Sequence, residues 1–265
     1  MNSPLDSPVR APLRDPWRPL RYALRVPVLL LHLLVALPLT VLLINPLTQR
    51  LRLGGERVDH RVIRAWQGGL LRIFGFRIRQ FGQPQAGGVL FVANHVAWLD
   101  ISLLHSRHVV GFVAKAEISR WPLIGWLASR AGTIYHHRGN NESLHGVMHQ
   151  MVQRLQSGQA VGVFPEGRTT DGLMVHTFHA RIFQPAVAAP ATVQPVALRY
   201  GEGGSAQALV AFQPGENFLQ NFLRVLGDPP RVAEVHFLEP IAAGEDGRRR
   251  LAENARAQIA AAMQA

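Results

Sequence analysis

FVANHVAWLD, residues 91–100, is an apolar run that breaks into a polar turn. The run is short and does not alternate apolar with polar positions, which is the pattern of a strand covered on both faces of a sheet. Asn94 and His95 then stand at the C-terminal end of that strand, the edge of an α/β sheet where ligands gather. Asp100 follows His95 by five residues, and a helix starting near Trp98 folds the carboxylate back towards the imidazole. A carboxylate so placed fixes the tautomer of the His and stabilises its protonated form. The competing reading makes Asp100 a helix cap unconnected with His95.

Three further segments share this layout. VGVFPEGRTTDG (161–172) runs from an apolar strand into a charged turn. Gly167 there permits a tight turn, and Arg168 sets a planar cation beside it, an arrangement suited to a phosphate or an oxyanion. Glu166 is placed to bond a ligand hydroxyl or to brace an arginine. GTIYHHRG (132–139) is a short strand followed by Arg138 and Gly139. VQPVALRY (193–200) is a strand whose Pro195 suggests an edge or a bulge.

Candidate strands lie at Phe76–Phe81, Val89–Ala93, Val109–Ala114, Thr133–His136, Val161–Phe164, Val193–Arg199, Ala208–Phe212 and Ala233–Leu238. Candidate helices lie at 98–106, 121–130, 141–157, 176–188, 216–225 and 247–264. Alternating strands and helices predict an α/β domain over 75–265, a mixed and largely buried sheet flanked by helices.

Ahead of that domain, residues 26–44 (VPVLLLHLLVALPLTVLLI) carry no formal charge. As a helix they would reach about 28 Å, close to the thickness of a hydrocarbon core. Pro38 offers a place to kink. Arginines at 10, 14, 18, 21 and 25 precede the run, and Arg50, Arg52 and Arg57 follow it. Cytoplasmic flanks collect positive charge, so both ends are expected on the cytoplasmic side of the inner membrane, as in a kinked or re-entrant segment, with the following domain facing the cytoplasm; a simple single span is the competing reading. Residues 57–74 place Val58, Val62, Trp66, Leu70 and Ile73 at helical spacing with arginines opposite, the pattern of a helix lying on a membrane surface. The two segments make 26–74 a two-helix anchor. Residues 1–25, rich in Pro and Arg, read as loosely ordered.

The 265 residues hold Lys+Arg 28 against Asp+Glu 17, a formal charge of +11, and no Cys. The charge points to a polyanionic partner or an anionic membrane surface. Nucleic acid is disfavoured, because the basic residues are not gathered into one aromatic-studded stretch. The absence of Cys excludes a disulfide scaffold, a thiolate metal site and a cysteine nucleophile. The common phosphate-loop, dinucleotide, zinc-protease and serine-elbow signatures are missing as well. His145 and His149 sit one helical turn apart without a carboxylate to complete a metal site.

NHVAWLD resembles the N-H-x-x-x-x-D block of the glycerolipid and lysophospholipid acyltransferases, and FPEGRTT resembles their F-P-E-G block. Arg138 is similar to the arginine of the block between them, and VQPVALRY to the fourth, proline-containing block. The four agree in order and spacing across roughly residues 75–200. The resemblance implies an α/β acyltransferase domain on a two-helix membrane anchor. It implies His95 and Asp100 as catalytic residues, and Asn94, Arg138, Gly139, Glu166, Gly167, Arg168 and Thr169 at the substrate. It further implies acyl-CoA or acyl carrier protein as donor, no cofactor or metal, and a lysophospholipid acceptor. 1-Acylglycerol-3-phosphate is the first acceptor implied, and lyso-ornithine lipid the alternative. Where the family commonly has Thr-Arg after Pro-Glu-Gly this chain has Arg168-Thr169, and where it often has a lysine after the downstream phenylalanine this chain has His179. A non-catalytic, basic membrane-surface protein is the reading from a different class.

Overall fold

The computed structural model describes residues 15–121, 124–137, 141–244 and 247–265. The chain opens with α1 (Arg18–Leu31), which passes through one wide π-type turn (His32–Ala36) into α2 (Leu37–Leu43). Then come α3 (Pro46–Arg50), a ribbon of β1 (Arg52–Leu53) and β2 (Glu56–Arg57), and α4 (Val58–Ile73). The sheet domain continues with β3 (Phe76–Phe81), β4 (Leu90–Ala93), α5 (Leu99–His105), β5 (Gly111–Lys115), α6 (Ile124–Arg130), β6 (Ile134–His136), α7 (Asn141–Gln156) and β7 (Val161–Val163). It ends with α8 (Gln184–Ala188), β8 (Val193–Tyr200), α9 (Gln207–Val210), α10 (Phe218–Leu226), β9 (Arg231–Phe237) and α11 (Gly247–Gln264).

Seven strands form one sheet in the order β3-β9-β8-β4-β7-β5-β6. Its neighbours are parallel except for the antiparallel pair β8 and β9, so the sheet is mixed, as expected. Strand β4 shows why its sequence does not alternate. Leu90 and Val92 pack among residues of α7, α8 and α11, whereas Phe91 and Ala93 pack among residues of α4, α5 and α10. Successive side chains point to opposite faces, and both faces are covered.

Two sequence expectations fail for identifiable reasons, and a third is met by one of its two alternatives. Ala208–Phe212 is not a strand; α9 occupies Gln207–Val210. The buried Gln207 side chain bonds the main chain of Tyr200 and Leu198, which holds the segment in a helical turn beside β8. Residues 176–188 are not one helix. His176 and His179 stay extended because their amides donate to Glu166 and to the Pro165 carbonyl, and only a 3₁₀ turn (Ala180–Phe183) and α8 are helical. Pro195 lies in an interior strand rather than at an edge, and the alternative reading, a bulge, holds: the chain after β9 gains one residue against β8 between the pairs Val196–Phe237 and Val193–Ile241, with the Leu238 amide bonding the Pro195 carbonyl.

The N-terminal region is also more ordered than its composition suggests. A continuous helix of 26 residues runs from Arg18 to Leu43, long and apolar enough to cross a membrane. Leu24, Leu31, Leu34 and Leu42 are among many of its side chains left uncovered by protein. The expected loose segment therefore ends before Arg18; residues 1–14 lie outside the described residues. The wide turn precedes Pro38 and absorbs the amide that proline lacks. His32, within that turn, stacks on Trp66 at 5.0 Å. Helix α4 does not lie free on a surface. It buries Ile63, Leu70 and Leu71 and packs between the N-terminal helix and α5.

Burial pushes His105 and His108 in the domain core down to about 4. His105 is held neutral, its Nε2–H donating to the Val110 carbonyl at 2.9 Å. Both folded values lie below the value of 6.5 that histidine has in water, so the unfolded chain binds protons first. Stability is thus expected to be full above pH 6.5 and to fall as pH drops towards 4, levelling off below, by up to roughly 3 kcal/mol per histidine. Denaturant midpoints at pH 7.5, 5.5 and 4.5 check this. His105→Gln with His108→Gln should flatten the dependence, and an unchanged slope would refute it.

Candidate active site

Strands β4 and β7 are parallel neighbours with Val92 opposite Val163. Their C-terminal ends therefore leave the sheet side by side, and His95 meets the Phe164-Pro165-Glu166 turn. The imidazole stacks on Phe164, with ring centroids 4.0 Å apart and planes 12° from parallel. His95 Nδ1 lies 2.7 Å from Asp100 Oδ2. That same oxygen accepts the Val96 and Ala97 amides at 2.6 and 2.9 Å, while Oδ1 accepts the Tyr200 hydroxyl at 2.6 Å. Asp100 is fully buried, and the His95 side chain is 18% exposed. A carboxylate against Nδ1 places the ring proton there and leaves the lone pair on Nε2. Asp100 thus fills both roles suggested by its spacing, closing the 96–100 turn and orienting the imidazole.

Tyr200 reaches this carboxylate because β8 runs parallel to β4 with Val196 beside Ala93. Four further residues carry it about 13 Å past the end of β4. Burial first, and the Asp100 charge second, raise the Tyr200 pKa well above that of a free phenol, so it stays a donor. Nothing in the sequence pairs residue 200 with residue 100, and the expected strand stopped at Arg199.

Glu166 is buried and points inward. Its two oxygens accept the amides of His95 and His176 at 3.0 and 3.2 Å. It therefore braces main chain rather than a ligand hydroxyl or an arginine. Burial raises its pKa, opposed by those two amides. Thr170 adds a second brace, its amide and hydroxyl both bonding the His95 carbonyl at 2.8 and 3.1 Å. The Gly167 amide closes the turn onto the Phe164 carbonyl. With φ at +72° and the His179 ring 3.2 Å from where a Cβ would stand, only glycine fits there without strain.

The sequence model of the Acyltransferase family matches residues 77–199, which contain this arrangement except for Tyr200. Lyso-ornithine lipid O-acyltransferase of Pseudomonas aeruginosa is 35% identical over 217 residues, covering 81% of this chain and 84% of that protein. The chain belongs to the acyltransferase family. 1-Acyl-sn-glycerol-3-phosphate acyltransferase of Neisseria gonorrhoeae is 38% identical over 143 residues, 54% of this chain and 56% of that one. The crystal structure of the 1-acyl-sn-glycerophosphate acyltransferase PlsC from Thermotoga maritima has the same fold, with a TM-score of 0.68 and 17% identity over 92% of this chain and 96% of that one.

In this acyltransferase Asn94 is also inward-facing. Its amide bonds both the N–H and the carbonyl of Leu198, at 2.8 and 3.0 Å, and so ties the end of β4 to β8. Arg168 and Thr169 line a cleft of about 360 Å³ with Thr170, Asp171, His176 and Phe212. Arg138 and Gly139 lie outside the described residues. His149 bonds Gln153 on the surface of α7, and the described residues contain no group of acidic and His side chains fit to hold a metal. Phe164, Thr170 and Tyr200 are site residues that pattern reading missed. Phe164 and Thr170 lie within a quoted motif, but the stacking of Phe164 on His95 depends on strand order.

Tyr200→Phe removes one donor from Asp100 and keeps the ring volume. It is expected to cost about 1.5–3 kcal/mol of stability, the range for a hydrogen bond to a charged group. It should lower kcat by roughly tenfold while KM stays within about twofold. Steady-state kinetics beside a denaturation curve check this; a KM effect with unchanged kcat would contradict it.

Proposed function

We propose that the protein transfers a fatty acyl group from an acyl thioester to the free hydroxyl of a lysolipid. The observation that carries this reading is the His95–Asp100–Tyr200 constellation, with the Nε2 lone pair at the carboxyl edge of the parallel strands. His95 takes the proton of the acceptor hydroxyl as its oxygen attacks the thioester carbonyl. The tetrahedral adduct collapses, the C–S bond breaks, and the imidazolium returns the proton to the departing thiolate. Asp100 stabilises the charged ring in between. A thiol of pKa ~8.5 leaves readily, so neither a covalent enzyme intermediate nor a cofactor is called for. The donor is acyl-CoA or acyl carrier protein, and the relatives' names supply two candidate acceptors, 1-acylglycerol-3-phosphate and lyso-ornithine lipid.

The exposed apolar helix Arg18–Leu43 supports a bilayer as the working surface, where a lysolipid already resides. Arginines on both flanks favour the cytoplasmic face of the inner membrane.

Incubation of the purified protein in mixed micelles with a labelled acyl thioester tests the reading. Thiol release and a diacyl product are expected only when a lysolipid is added. Free fatty acid in its absence would mean a hydrolase, and a stable labelled protein would exclude direct transfer.

A further inference from the structure

Helix α11 lies outside the segment 77–199 that the family model matches, yet it reaches the catalytic turn. It buries Leu251, Ala252, Ala255 and Ile259 in the cluster that also holds Val175, Phe178 and Phe183. Arg256, next to that buried stripe, is thereby seated over the main chain of residues 175 and 176. Its Nε donates to the Val175 and His176 carbonyls at 3.1 and 2.9 Å, and its Nη2 donates to the Val175 carbonyl at 2.8 Å.

The Val175 carbonyl and the His176 N–H belong to one peptide group. Its oxygen accepts from Arg256, while its N–H donates to Glu166 Oε2 at 3.2 Å. Glu166 Oε1 in turn accepts the His95 amide at 3.0 Å. A cation on the oxygen of a peptide polarises the group and strengthens its N–H as a donor, so the bonds of such a chain reinforce one another. An ionised carboxylate accepts on both oxygens, whereas protonation turns one of them into a donor and would break one brace. Burial favours the protonated form of Glu166, and the two amides oppose it. Arg256 thus supports the charge of a carboxylate that it does not touch.

We propose that Arg256 is a positioning residue for His95, acting through the Val175–His176 peptide and Glu166. This role rests on the acyl-transfer reading above. It bears on the chemical step, because the far end of the chain is the main chain that carries the imidazole.

The test uses the full chain in mixed micelles, with acyl-CoA as donor and either 1-acylglycerol-3-phosphate or lyso-ornithine lipid as acceptor. Arg256→Met keeps an unbranched stem and removes the donors and the charge. It is expected to lower kcat by about tenfold with KM for donor and acceptor within about twofold, the pattern of an interaction felt in the transition state. The denaturation midpoint should stay at the wild-type value, since Arg256 is a surface residue. Arg256→Lys keeps a cation but loses the planar fork, and should hold kcat within about threefold of wild type. In a Glu166→Gln background the link is already cut, so adding Arg256→Met should lower kcat by less than about twofold further, a coupling that independent sites do not show. Wild-type kcat in Arg256→Met, a KM rise at unchanged kcat, a kcat loss that tracks a fallen midpoint, or additive losses in the double variant would overturn the role and leave acyl transfer in place. No transfer by the wild-type protein to either acceptor would overturn the reaction itself, and this role with it.

Discussion

His95→Ala is expected to lower kcat by between about 10² and 10⁴, the span that a positioned general base contributes. The geometry makes the loss specific to the chemical step. Asp100 keeps the ring proton on Nδ1, so Nε2 is the nitrogen able to take the acceptor's proton. The cleft at Arg168 is lined by other side chains, so KM should change by less than about threefold. The ring stacks on Phe164 but is partly exposed, and truncation should cost roughly 1 kcal/mol of stability. Kinetics at saturating acceptor, with circular dichroism to confirm the fold, decide the matter. Activity within a few-fold of wild type would remove His95 from the mechanism.

Asp100 carries a double consequence, which two substitutions separate. Asp100→Asn preserves shape and leaves one oxygen for the amide donors, but it withdraws the negative charge that stabilises an imidazolium. A loss of about 10³–10⁴ in kcat is expected, comparable to the loss of the triad aspartate in serine proteases. Folding should survive. Asp100→Ala instead strands the Val96 and Ala97 amides and the Tyr200 hydroxyl in a fully buried site. Each unsatisfied buried donor costs about 1–3 kcal/mol, so at least ~3 kcal/mol of stability should disappear as well. Equal stability for the two variants would show that the carboxylate is not the organiser of this turn.

How much of this was legible in the sequence follows from what is local. The run at 91–93 announced a buried strand, and the five-residue spacing of His95 and Asp100 is a property of one turn. Every strand assigned from 76 to 199 is present, because none of those segments has an alternative partner for its apolar side chains. The failures are non-local. Residues 208–212 have a strand's composition, but both flanks of β8 are already occupied by β4 and β9. The inward roles of Asn94 and Glu166 could not be read, since a polar residue beside a motif looks the same whether it meets a ligand or main chain. Tyr200 entered the site only through the register of β8 on β4.

The N-terminal helix joins the domain through hydrogen bonds rather than through grease alone. Arg18, Arg21, Tyr22 and Arg25 bond carbonyls of Leu223, Arg224, Leu226, Gly227 and Asp228 at 2.7–3.1 Å, where the last turn of α10 leaves its acceptors open. Gly227 allows the approach, as a Cβ there would stand 2.7 Å from Arg18 and Tyr22. Helix α10 in turn carries Asn221, which bonds Trp98 at 3.0 Å, two residues before Asp100. The apolar helix and the turn that carries His95 and Asp100 are thus linked through α10. Such a construction is a keel rather than a tether: cutting the helix away would unseat the end of α10 and, through Asn221, the turn at Trp98 as well.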